Sequence, residues 1–307
     1  MSSGSVVVLT GGIGGAKLVV GLSHPLPASR LTAVVNTGDD FTHLGLRISP
    51  DLDTLLYTLA GLANPEQGWG RADETWNFMA ALRAVGGEDW FALGDADLAL
   101  HVERTHRLAG GETLSAVTAR FAERLGVGIQ MVPMSDQPVT TRLRTDEGEM
   151  DFQHYFVRRR CEPKVQAIWF DGAETAVMLP GAQRALQAHA LTCIIIAPSN
   201  PWLSVDPILA VPGIRQAICD ASVPVVVVNP LPGGLAVKGP TAKIMTELGL
   251  ERSAASVAAH YRGIATAILL DNADAALDLR HAFTDTIMLD LNDRVRVAQA
   301  ALELGSQ

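Results

Sequence analysis

Six stretches of this 307-residue chain place chemically capable residues at the ends of apolar runs or at helix entries. Thr10-Gly11-Gly12-Ile13-Gly14-Gly15-Ala16-Lys17 follows the apolar residues 6–9. Glycines there let backbone amides approach a phosphate at the start of a helix. No Ser or Thr follows Lys17, so this is not a Walker loop, and Lys17 takes the place of the third glycine of a dinucleotide fingerprint. An anion site and a tight turn that binds nothing both remain open. Asn36-Thr37-Gly38-Asp39-Asp40 next puts two carboxylates at the end of residues 31–35, where open α/β sheets hold ligands. Ser49-Pro50-Asp51-Leu52-Asp53-Thr54 then opens a helix. Ser49 suits its N-cap and Pro50 its first position, which makes Asp51 and Asp53 first-turn acids complementing the helix dipole. The competing reading is metal binding, since Mg²⁺ takes one or two carboxylates and leaves its other positions to water and phosphate. Asp40 and Asp53 together are the expected Mg²⁺ ligands.

Leu93-Gly94-Asp95-Ala96-Asp97-Leu98-Ala99-Leu100-His101 is an acidic helix entry that ends in a histidine, either a proton carrier or a structural hydrogen-bonder. Ser199 and Asn200 sit in a polar turn after residues 193–197 and suit a phosphate or base grip, although turns use the same residues. Asn229-Pro230-Leu231-Pro232-Gly233-Gly234, continuing to Lys238 and Lys243, repeats the passage from strand to glycine loop to helix. Lysines are ordinarily solvated, so here the functional argument rests on the repetition.

The elements that must position these groups are short and β-branched. Residues 6–9, 31–35, 193–197, 225–228, 265–270 and 286–289 read as strands, and helix-like stretches separate them. Continuously apolar strands alternating with helices predict a parallel sheet covered on both faces. The expectation is a single domain over residues 1–307, a three-layer Rossmann-like α/β fold with a mainly parallel central sheet. Residues 71–125 lose the strand signal and read as a helical insertion, while 139–144 and 149–157 flank a turn-rich tetrad and read as a β-hairpin over 139–157.

Composition narrows the partners. A chain that is 48% hydrophobic buries a sizeable core, and a net charge of −9 opposes binding along a nucleic-acid backbone. No apolar run approaches the roughly 20 residues that span a bilayer, and no basic leader precedes residues 6–9, so no membrane partner and a cytoplasmic location are expected. Cys161, Cys193 and Cys219 show no metal spacing and read as reduced core residues.

In the order of its motifs the chain closely resembles the phospholactate transferase family, the CofD/FbiA enzymes. The resemblance runs through the glycine turn, Asn36 to Asp40, Pro50 to Thr54, the Gly68-Trp69-Gly70 to Trp76 segment, Leu93 to Asp97, Pro133-Met134-Ser135-Asp136-Gln137-Pro138-Val139, Phe152-Gln153 with Arg158 to Arg160, Pro198 to Pro201, and Lys238-Gly239-Pro240. It implies transfer of a phospho-acid from a guanosine diphosphate-linked donor to the ribityl hydroxyl of the deazaflavin Fo, with release of GMP, in coenzyme F-420 biosynthesis. It also implies a homodimer and a divalent ion held by Asp40 and Asp53, with Asp39 as a candidate base. Gly11, Gly12, Gly14 and Lys17 would then lie beside donor phosphate, and Ser199, Asn200, Gly234 and Lys238 would hold the guanosine nucleotide. Trp69, Trp76 or Phe41 would wall the flat ring. Ala96 and Leu100 depart from the Arg and Thr expected there, and the transferred acid stays open among phospholactate, phosphoenolpyruvate and phosphoglycerate. The nearest rival is a nucleotide-sugar-binding regulator of the gluconeogenesis-factor family. A second rival, an NAD(P)-dependent dehydrogenase, is opposed by the broken fingerprint.

Overall fold

The computed structural model describes residues 4–65, 70–235 and 239–306. Its main sheet takes β1 (Ser5–Thr10), β2 (Leu31–Val35), β5 (Gln130–Pro133), β9 (Leu191–Ile196), β10 (Val225–Val228), β11 (Ala267–Asp271) and β12 (Arg280–Thr284) in the order β12-β11-β10-β9-β1-β2-β5. Every pairing in it is parallel. Side chains alternate across the strands, so Val7, Leu9, Ile194 and Ile196 join one apolar layer while Val6, Val8, Cys193 and Ile195 join the other. Helices cover both faces, as the continuously apolar strands predicted. On one face α1 (Gly12–Leu22) packs against the helix Leu291–Gly305, and the approach is close enough that a Cβ on Gly21 would collide with the Arg294 carbonyl.

Between β2 and β5 lie the short antiparallel pair β3 (Phe41–His43) and β4 (Leu46–Ile48), then α2 (Pro50–Leu59), α3 (Asn77–Ala84), α4 (Asp95–Ala109) and α5 (Leu114–Arg124). The last of these is part of a layer, since Val117, Phe121 and Ala122 of α5 enter the core against the main sheet. The first arm of the anticipated hairpin is β6 (Thr140–Thr145), and it pairs with β7 (Gly148–Asp151). The second arm stops at Asp151, because residues 152–158 coil into helical turns that bury Phe152 and Tyr155. A third strand unforeseen in the sequence, β8 (Val165–Asp171), pairs along the other side of β6.

Residues 286–289 form no strand. The strand beyond β11 is instead β12, which with β5 forms the two edges of the sheet; its mixed polar sequence suits a position with only one neighbour, and Leu289 beyond it is 77% exposed. Cys193 is buried as expected, but Cys161 is half-buried and Cys219 is exposed. Among the described residues, no helix is long and apolar enough to cross a membrane.

Candidate functional site

Chain order reverses at β1, which lies between β2 and β9, so the C-terminal ends of these strands bound the crevice where open parallel sheets take ligands. The glycine turn opens α1 there. Gly12 adopts φ +65°, a Cβ on Gly14 would meet the Pro198 carbonyl at 2.7 Å, and one on Gly15 would strike Thr10 and Ser199. These glycines bring α1 tight against the loop after β9. Two amides at the turn already have acceptors within the protein: Gly11 N donates to Ser199 Oγ at 3.1 Å and Gly12 N to Asp51 Oδ1 at 2.8 Å. Lys17 turns away from the turn and donates to the Met288 carbonyl at 2.6 Å.

Asn36, fully buried at the end of β2, organises the acids. Its carbonyl accepts from Gly38 N at 2.8 Å and its amide donates to Asp51 Oδ2 at 2.9 Å. Pro50 occupies the first turn of α2 as anticipated, but the Ser49 hydroxyl leaves the helix uncapped and donates to Asp40 Oδ2 at 2.7 Å. Asp51 and Asp53 stand in the first turn of α2, as the helix-dipole reading anticipated, and both are buried. Burial, with Asp51 alongside, holds the Asp39 carboxyl well above the usual range. Burial likewise pushes Asp40 up to about 8 against the pull of Ser49 and Arg104, and raises Asp51 to about 6. One oxygen of each of Asp39 and Asp40, Oδ1 in both cases, is buried without a hydrogen-bond partner. Buried acceptors left unsatisfied are costly, and a cation that meets them relieves both the desolvation and the mutual repulsion.

Asp53 is differently placed. Arg104 of α4, buried beneath the rim, takes both of its oxygens, with Nη1 donating to Oδ2 at 3.1 Å and Nη2 to Oδ1. His101 lies beside the pair, its Nδ1 3.7 Å from Asp53 and its Nε2 3.0 Å from Asp97, and Tyr57 donates to Asp97 at 2.5 Å. Asp53, Asp97 and His101 offer ligand atoms within 4.8 Å of one another, yet a cation among them would meet the Arg104 guanidinium. Arg104 thus competes for Asp53, which also acts electrostatically on Asp40, while Asp39 and Asp40 keep oxygens that a divalent cation could meet. Arg104 went unrecognised in the sequence as the partner of Asp53; the available signal was its i,i+3 spacing from His101 on one helix face.

The remaining candidates are dispersed. The Asn200 side chain accepts from Trp202 N and Leu203 N at 3.0 and 3.1 Å and donates to Thr241 Oγ1 at 3.0 Å. Gly234, at φ +76°, lies on the loop after β10, where a Cβ would meet the Arg252 carbonyl at 2.5 Å, and Gly233 N donates to Asp274. Lys238 and Trp69 lie outside the described residues. Trp76 is 41% exposed, whereas Phe41 packs edge-on to Phe91 at 4.9 Å and stands in an aromatic group with Trp90. His154 stacks at a tilt on the same Trp90.

Asp40 and Phe41 open onto a cavity of about 430 Å³ between the β3–β4 pair, the ends of α4 and α5, and the β6–β7–β8 sheet. Its wall carries Thr37, Asp136, Gln137 and Thr140, a dense set of acceptors and hydroxyls suited to a polyhydroxylated molecule.

Comparison with known proteins places this geometry. The chain matches the family described as 2-phospho-L-lactate transferase CofD over residues 6–301. It is 42% identical to a phosphoenolpyruvate transferase of Streptomyces griseus, with 98% of each chain covered. It is 39% identical to a phosphoenolpyruvate transferase of Thermobifida fusca, over 96% of this chain and 95% of that one. Among solved structures, a member of the UPF0052 family from Bacillus halodurans superposes with a TM-score of 0.63 over 98% of this chain and 99% of the other, at 17% identity, a likeness of fold.

Proposed function

From the premise that the chain belongs to the 2-phospho-L-lactate transferase CofD family, we propose that it moves a phosphoenolpyruvyl group from a guanosine diphosphate-linked donor to the deazaflavin alcohol Fo in coenzyme F-420 biosynthesis. The choice of acid follows the names of the two relatives, both phosphoenolpyruvate transferases. The terminal ribityl hydroxyl attacks the phosphorus that bears the acid, the P–O bond to the nucleotide breaks, GMP leaves, and the hydroxyl proton is lost.

One observation carries this reading: Asp39 and Asp40 present buried, unpartnered oxygens at the strand-end rim, and Asp40 also lines the acceptor-rich cavity. Asp39 and Asp40 would hold Mg²⁺, which would neutralise the donor diphosphate and the leaving oxygen. Asp53, held by Arg104, acts as the counter-charge that fixes α4 beneath the rim. Phosphoryl transfer depends mainly on positioning and charge, so the cavity's part is to hold the polyol chain in line with the phosphorus. Phe41 at the cavity wall supplies an apolar face for the ring. The same reading makes the protein a cytosolic homodimer, to be checked by light scattering.

The test is product formation and GMP release, followed by mass spectrometry, with each of the three candidate donors, with and without Mg²⁺, for the wild type and Asp40→Ala. The expected result is Mg²⁺-dependent product from the phosphoenolpyruvyl donor that is lost in the variant. Absence of product from every donor, together with failure to bind Fo or GDP and with binding of a nucleotide sugar, would replace the transferase by the regulatory reading.

A further inference from the structure

The charges around the cavity are almost all committed. Asp136 accepts from Ser115 N and Oγ at 2.7 and 2.9 Å. Arg142 pairs with Asp151 and lies 3.7 Å from Asp171. Arg47 differs from them. Its backbone is pinned from both sides by α4, with its N–H donating to Thr105 Oγ1 at 2.8 Å and its carbonyl accepting from Arg104 Nη1 at 3.2 Å. Its half-buried guanidinium lines the cavity and acts electrostatically on Asp40, yet among the described residues it makes no hydrogen bond and no ion pair within 4 Å. A fixed backbone with an uncommitted fork of donors is a preorganised receptor for a planar anion.

A phospho-acid donor carries such an anion besides its phosphates. Besides Asp40, three carboxylates, Asp136, Asp151 and Asp171, line the same cavity and would repel it, so the acid's carboxylate enters favourably only where a cation meets it. We propose that Arg47 receives the carboxylate of the transferred acid and thereby selects donors that carry one. The proposal rests on the transferase reading and gives that site its donor specificity. The guanidinium plane pairs with two carboxylate oxygens, while the donor's phosphorus lies toward Asp40.

Calorimetric titration of the wild type, Arg47→Lys and Arg47→Gln tests this with three ligands: phosphoenolpyruvate joined through its phosphate to GMP, the same molecule with a carboxamide for the carboxylate, and GDP. The wild type should prefer the carboxylate about 10- to 100-fold, the range expected for a charge-assisted pair. Arg47→Gln should erase that preference, Arg47→Lys should keep part of it, and GDP affinity should stay unchanged in both. Discrimination retained by Arg47→Gln, or equal losses on all three ligands, would overturn the proposal. A wild type that binds neither donor would overturn it together with the transferase reading. A wild type that discriminates between the donors but forms no product with Fo would overturn the transferase reading alone.

Discussion

Past the ends of β1 and β2 the rim is crowded with acids, whereas past β9 and β10 it is built from amides and glycines. In the amide half the polar groups answer one another: Asn200 closes the turn after β9, and Asp274 accepts from Gly233 N and from Asn229 Nδ2 at 3.0 and 2.7 Å. The acid half keeps a buried, unanswered oxygen on each of Asp39 and Asp40, and only Asp53 has a full counter-charge. A self-satisfied half can be rigid without a ligand, while the acid half is complete only with something positive. The contrast separates residues that hold the fold from residues that await a substrate.

The sharpest way to break that contrast is at Arg104. Replacing it with Ala leaves Asp53 buried and unpaired and should cost about 3–5 kcal/mol of stability in urea unfolding; a change below about 1 kcal/mol would mean that the pair is not the anchor described. Asp40→Asn should instead lower turnover on the order of 10²- to 10³-fold while leaving the melting temperature equal or higher, because Asn still offers Ser49 an acceptor and removes a carboxyl whose charged form burial disfavours. A melting temperature that drops with the activity would place Asp40 among the structural acids.

Titration sharpens the comparison further. Asp40 and Asp51 have folded pKa values of about 8 and about 6, above the ordinary 3.8, so the folded state binds more protons than the unfolded state between these limits. Stability without a divalent ion should therefore fall as pH rises from about 4 to about 8, the reverse of an ordinary salt-bridged carboxylate. Thermal melts across that range should show the fall, and Asp40→Asn should flatten its upper part; a profile that rises over this window would contradict the burial of these acids. On the amide side the effect is smallest. Asn200→Ala removes acceptors for two amides and should cost about 1 kcal/mol, with donor affinity reduced less than by any change at Asp40.

Much of the sheet was legible because its inner strands are uniform. Residues 31–35 and 225–228 are buried throughout, and such runs in this chain have no other place to go. The edge was not legible, since β12 needs apolar contacts on only part of its surface and carries Arg280 and His281. Strand β8 escaped notice because it is only partly buried and does not alternate, so it is fixed as a strand by its pairing with β6. At the site, the positions of Asp39 and Asp40 could be read from the strand that precedes them. The division of labour between Asp40 and Asp53 could not, because Arg104 lies 51 residues further on, in a helix whose docking is a tertiary event. The glycine turn was recognised as a close approach, but the fact that Asp51 and Ser199 already occupy its first amides depends on two other loops.

The placement of β1 between β2 and β9 bears on how the protein is made. Gly11 and Ser199, which meet across the reversal point, are 188 residues apart in the chain. At translation rates of about 5–20 residues per second, the first strand waits roughly 10–40 s on the ribosome before its second neighbour exists. Throughout that interval the nascent chain shows an open strand edge along Val6, Val7, Val8 and Leu9, a natural station for a chaperone that shields such edges.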